Sequence, residues 1–118
     1  MGVHVGTWIY LDTLKSLDFT IERPDGTAFN LTGYTVAAEI RVPGATALIA
    51  TVAGSVVTPL IGLGRVFLGA TGALMPTNAG ESARYEAFIA CTKGADKTYA
   101  GKGVDGGDPF AFTVRRWP

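Results

Sequence analysis

Nucleophilic catalysis needs a reactive side chain with a base within hydrogen-bond reach. This chain holds one cysteine, Cys91, and one histidine, His4. His4 falls in a terminal segment that reads as flexible, so a Cys91–His4 pair is not expected. Cys91 falls on the apolar side of an alternating stretch, the setting of a buried, inert thiol. Paired-carboxylate hydrolysis needs two acids flanking a cleft. Asp18, Glu22, Glu39, Glu81 and Glu86 fall mostly at outward positions of alternating segments and read as solvated faces. One Cys and one His do not make a zinc site. Asp96, Asp105 and Asp108 share a Gly-rich loop, residues 94–108, that offers oxygen ligands to calcium. Their spacing departs from the alternate-position pattern of a calcium loop, and turn-forming aspartates are the expected reading. The Gly62-x-Gly64 and Gly101-x-Gly103 pairs do not sit between a strand and a helix, and no lysine-serine pair follows them, so neither is a phosphate loop. These residues predict no catalytic group, no cofactor and no metal: the chain reads as non-enzymatic.

The elements around them alternate with a period of two. Leu17, Phe19 and Ile21 point one way, and Ser16, Asp18, Thr20 and Glu22 the other. Tyr34, Val36, Ala38, Ile40 and Val42 form one face of the next strand, opposite Thr35, Ala37, Glu39 and Arg41. Pro24-Asp25-Gly26-Thr27 is a turn with a mechanism, because Pro presets φ and Asp-Gly tolerates a tight reversal. A first extended segment is expected over residues 5–10, and a hairpin over 47–53 and 55–59 around Gly54. Gly62 and Gly64 bracket a turn, followed by a strand over 65–70 with Val66, Leu68 and Ala70 on one face. Residues 71–79 read as irregular, with a helical turn near Leu74. Residues 83–93 alternate again, with Ala83, Tyr85, Ala87, Ile89 and Cys91 on one face. Residues 94–108 read as a mobile loop or ragged hairpin, and Phe110, Phe112 and Val114 face inward in a closing strand over 110–116. About seven to nine short strands and no helical period predict an all-β, antiparallel immunoglobulin-like sandwich. It forms one domain over 1–118, with 1–14 an extended segment able to form an interface. Glu81-x-Ala83-x-Tyr85 matches the corner at which such sandwiches bond a tyrosine hydroxyl back to nearby backbone.

Composition narrows the function. Ten Lys+Arg balance ten Asp+Glu, which argues against nucleic acid and against an electrostatic membrane-surface role. Charged residues are only 17% and mean hydropathy is +0.27, unusual for a surface that faces water everywhere. Cover by other subunits is the expected explanation. The opening MGVHVGTWIY lacks the basic and long apolar regions of a signal peptide, so synthesis in a cytoplasm is expected. Alternation also turns apolar side chains outward: Phe67 and Phe88 in their strands, and Trp117 beyond Val114. With Trp8, Ile9 and Tyr10 these are the expected interface residues. The same aromatics could stack sugars in a carbohydrate-binding or host-adhesion module, although the polar partners such sites use are scarce.

The segment from Asp25 to Arg41, DGTAFNLTGYTVAAEIR, resembles the "DG-x-x-x-x-LTGY-x-x-x-x-x-IR" opening of immunoglobulin-like modules in tailed-phage virion proteins. The N-terminal domain of phage baseplate upper proteins is the best-known relative. The likeness continues through residues 66–71, 84–89 and the closing "F-x-V-x-R" at 112–116. It implies a virion structural subunit that touches other virion proteins and copies of itself. It carries over no catalytic residue. Longer members continue into virion-binding or receptor-binding parts, whereas this sequence stops at Pro118. Neck, tail, baseplate, fibre-attachment and capsid-decoration positions are all compatible with the resemblance.

Overall fold

The computed structural model describes residues 2–5, 9–10, 16–67, 74, 76–78, 80–102 and 108–115. The class is all-β. Among the described residues nine strands run in chain order: β1 Gly2–Val5, β2 Ile9–Tyr10, β3 Ser16–Glu22, β4 Thr35–Arg41, β5 Ala50–Thr58, β6 Leu63–Phe67, β7 Ser82–Lys93, β8 Asp96–Ala100 and β9 Phe110–Arg115. One short 3-10 turn, Pro59–Ile61, joins β5 to β6. Among the described residues no helix is long and apolar enough to cross a membrane.

The strands pair in the order β1-β3-β6-β5-β4-β7-β9-β2, with β8 added on β7. All pairings are antiparallel except β2 with β9. The path is one sheet curled on itself. Inward residues of β3 and β6 (Leu17, Phe19, Ile21, Val66) join those of β4, β7 and β9 (Val36, Ala38, Ile40, Ile89, Phe112, Val114) in a single buried cluster. Along this path β1-β3-β6-β5 precede β4-β7-β9, so the two groups of strands are joined through the β5–β4 pairing. Alternation dictates this inside and outside: β4 reads exposed, buried, half-buried, buried along its length because every second side chain enters the core. Each large aliphatic chain so buried contributes about 1.5–3 kcal/mol.

The turns behave as their residues require. Asp25 Oδ1 accepts from the Thr27 backbone N–H at 3.0 Å and from its hydroxyl at 2.6 Å, and Gly26 takes φ +87°. Before β4, Tyr34 N–H donates to the Leu31 carbonyl at 2.9 Å, with Gly33 at φ +81°. Leu31 is fully buried, so the Leu-Thr-Gly-Tyr block is a turn pinned by its first residue that launches β4.

Several expectations change. Gly54 is not a hairpin turn. β5 is one strand whose residues 50–53 pair with β4 and whose residues 54–58 pair with β6. A Cβ at Gly54 would lie 2.8 Å from the Arg65 carbonyl oxygen and 2.8 Å from Val66 Cγ1. Glycine therefore serves the close approach at which β5 passes from one side of the curl to the other. Gly62 does close a turn, at φ +71°, but Gly64 lies inside β6, where the Phe19 ring occupies the space a Cβ would need. The segment expected over 65–70 starts at Leu63 and is described to Phe67; Leu68 and Ala70 lie outside the described residues. The expected 5–10 segment is instead two strands, and His4 stands in a ladder opposite Thr20. Of the two readings of residues 94–108 the hairpin holds, since Gly94 (φ +58°) turns β8 back onto β7.

Candidate functional site: the outer face of β4, β7 and β8

Cross-strand register sets the rows of this face. Ala53, Ala37, Ala90 and Tyr99 form one row across β5, β4, β7 and β8. Thr51, Glu39 and Phe88 form the next. Thr35, Thr92 and Lys97 form the row on the other side. Three alanines leave the middle low, and the result is an open groove of about 400 Å³ that Glu39, Thr51 and Lys97 help to line.

Glu39 is half-buried, and among the described residues its Oε2 is enclosed with no hydrogen-bond donor in reach. Glu86 is about four-fifths buried and accepts from Arg41 Nε at 2.7 Å and, more loosely, from Gly44 N–H at 3.4 Å. These two acids are therefore not the freely solvated residues that alternation suggests. Asp18 and Glu81 are exposed, and Asp18 is held below the usual carboxylate range by its hydrogen bond from Arg65.

Phe88 corrects one interface expectation. It does point away from the common core, but it is only 3% exposed. Tyr99 packs edge-on against it at 5.8 Å, and the Arg41 and Lys102 cations sit 5.7 Å from its ring centre. It is covered because β8, the returning arm of the hairpin that was one reading of residues 94–108, and the turn after it supply Tyr99 and Lys102 over its ring. Lys102 also lies 3.9 Å from the Tyr99 ring centre, and Lys97 lies 5.1 Å from it. The Tyr99 hydroxyl, with a smaller contribution from Glu39, raises the Lys97 pKa.

Phe67 is half exposed, as its outward position predicts. Trp8, Trp117 and Asp105 lie outside the described residues, as do the side chains of Ile9 and Tyr10. The backbone of Ile9 and Tyr10 pairs in parallel with Val114 and Arg115, so that segment joins the sheet. Two apolar residues more exposed than Phe67 are ones the alternation argument did not single out, Leu60 at 71% and Ile61 at 52% in the β5–β6 turn, and Val57 near the end of β5 is 43% exposed. Val42, expected on the same face as Val36, Ala38 and Ile40, instead lies past the end of β4 and is 47% exposed, and with Leu48 and Ile49 it forms a second exposed set at the β4–β5 connection. Their signal is present in the sequence as aliphatics in turns, where polar residues are the rule.

Tyr85 hydroxyl donates to the Leu74 carbonyl at 3.0 Å, bridging the crossover between β6 and β7. This is the corner bond expected from the sequence, made to a residue eleven positions upstream. Cys91 is fully buried, and burial pushes its thiol pKa up to about 11. Among the described residues no three His, Cys, Asp or Glu side chains converge as a metal site would require. No protein-family model matches the chain, and no curated protein matches it.

Proposed function

We propose that this chain is a non-enzymatic structural subunit of a tailed-bacteriophage particle, held in place by contacts with other particle proteins and with copies of itself. The observation that carries the reading is the aliphatic surface at its turns. Leu60, Ile61 and Val57 at one connection, and Val42, Leu48 and Ile49 at another, are 41–71% exposed. Aliphatic groups held in water at defined turns gain about 25 cal/mol per Å² when a partner covers them. A chain with 17% charged residues and no net charge does not oppose such contacts. The phage assignment rests on the Leu31–Tyr34 turn and the strand that follows, a feature of fold rather than of chemistry. A sugar-binding reading gains nothing here: Phe88 is covered and lysines occupy the Tyr99 ring, so this aromatic pair presents no open stacking platform.

The test is competition for assembly. Particles formed with equal amounts of tagged wild-type chain and a Leu60→Ser/Ile61→Ser variant should incorporate the wild type about tenfold or more in excess. Equal incorporation would refute a contact through this turn.

A further inference from the structure

We propose that the free edge of β8 takes up an extended, acidic segment of a partner protein, which adds to the sheet as a further strand with its carboxylates among Lys93, Lys97 and Lys102. The first observation is the edge itself. β8 and β9 pair with successive stretches of β7, and β9 is covered on its far side by β2. β8 pairs with β7 alone, and among the described residues no backbone group bonds its other side. The two-residue turn at Gly94 and Ala95 makes Lys93 and Asp96 the closing hydrogen-bonded pair. Bonding then alternates along the strand, so Lys97 and Tyr99 direct their N–H and C=O groups away from β7. Two donors and two acceptors in one row are the template that strand addition uses.

The second observation is charge. Three of the chain's four lysines fall within residues 93–102, where Asp96 is the one acid. All three are exposed. Each ammonium stands over a ring rather than against a carboxylate: Lys93 over Tyr34 at 5.6 Å, Lys97 over Tyr99 at 5.1 Å and Lys102 over Tyr99 at 3.9 Å. None makes an ion pair with a described carboxylate, and Glu39 is the smallest of the influences on Lys97. A second copy of this chain is a poor occupant. Antiparallel pairing through both outward residues would set Lys97 opposite Tyr99 of the other copy and draw the two groups of lysines together. A strand with carboxylates at alternate positions places them all on the Lys97 side of the sheet, where they meet opposite charge.

The edge uses different residues from the aliphatic turns, so it can fail while particle incorporation holds, and the converse. The experiment titrates the isotope-labelled chain with the capped peptide Glu-Val-Glu-Val-Glu and follows amide resonances. Saturable shifts centred on Lys97 and Tyr99 are expected, with slowed hydrogen exchange at those two amides. The glutamine analogue, Gln-Val-Gln-Val-Gln, should bind about fivefold or more weakly at low ionic strength. The acidic peptide methylated at every backbone nitrogen keeps its charge but cannot donate to a strand, and it should give no saturable shifts at Lys97 and Tyr99. Every comparison uses the wild-type chain, so none depends on a variant folding. Absence of saturable shifts at Lys97 and Tyr99, equal binding by the acidic and glutamine peptides, or equal binding by the methylated peptide would overturn the proposal. So would concentration-dependent protection of the two amides in the chain alone, which would make a second copy the occupant.

Discussion

Replacing Gly54 by alanine tests how the sheet closes. In an ordinary exposed strand this change stabilises by about 0.4–1 kcal/mol, because alanine restricts the unfolded chain more than glycine does. Here the new methyl would stand 2.8 Å from a backbone oxygen, that of Arg65, and 2.8 Å from Val66 Cγ1, with Val36 Cγ2 at 3.2 Å. Val66 and Val36 are core residues on opposite halves of the curl, and the Arg65 carbonyl belongs to the β6 strand that β5 pairs with. None of the three can withdraw without loosening a ladder or the core. The expected cost is about 2–3 kcal/mol, the upper part of the range for overpacking a filled site. For a domain of this size that lowers Tm by about 8–12 °C. Urea denaturation of the variant beside wild type measures it, with Gly44→Ala as a control. Gly44 has φ +84° but open space around its Cβ position, so that change should cost only about 1 kcal/mol of backbone strain. A Gly54→Ala variant as stable as wild type, or more so, would refute the passage of β5 between the two halves.

Tyr85→Phe removes the hydroxyl that bonds the Leu74 carbonyl and should cost about 1–2 kcal/mol in the same denaturation assay. Cys91 should resist thiol reagents at pH 8 in the folded chain and react promptly in denaturant, read by a colorimetric thiol titration. Its folded pKa of about 11 lies above the ordinary value of 9.0, so the folded state holds its proton more tightly. That contribution is complete below about pH 9 and is lost as pH rises towards about 11. Burial raises the Tyr85 phenol as well, in the same sense. Alkaline unfolding should therefore be shallower for Cys91→Ala than for wild type. Leu60→Ser should change folding stability by less than about 0.5 kcal/mol, because the side chain is 71% exposed and has little burial to lose.

The strands that alternate cleanly were legible in the sequence. Leu17, Phe19 and Ile21 in β3, Val36, Ala38 and Ile40 in β4, and Tyr85, Ala87, Ile89 and Cys91 in β7 all turn inward as their spacing predicts. Gly54 misleads because a glycine required by a close tertiary approach looks the same, locally, as one required by a turn. β8 was only half legible, as one of two readings of residues 94–108, because Asp96 to Ala100 sit among glycines and charges and become a strand by pairing with β7. Phe88 and Glu39 depend on neighbours that alternation does not show. Alternation places both on the outer side, but whether an outer residue meets water depends on the neighbouring strand. Tyr99 and Lys102 cover Phe88, while the alanines of three strands leave Glu39 beside a groove. A groove made of what its residues lack has no local pattern to read.

The central claim, a particle subunit held by protein contacts, is tested most directly by counting the chain in purified particles. Quantitative mass spectrometry of gradient-purified tailed-phage particles from cells producing this chain should find it at a fixed ratio to the other structural proteins, unchanged by repeated banding. A chain abundant in the lysate but absent from banded particles, or lost steadily with each gradient, would contradict the account.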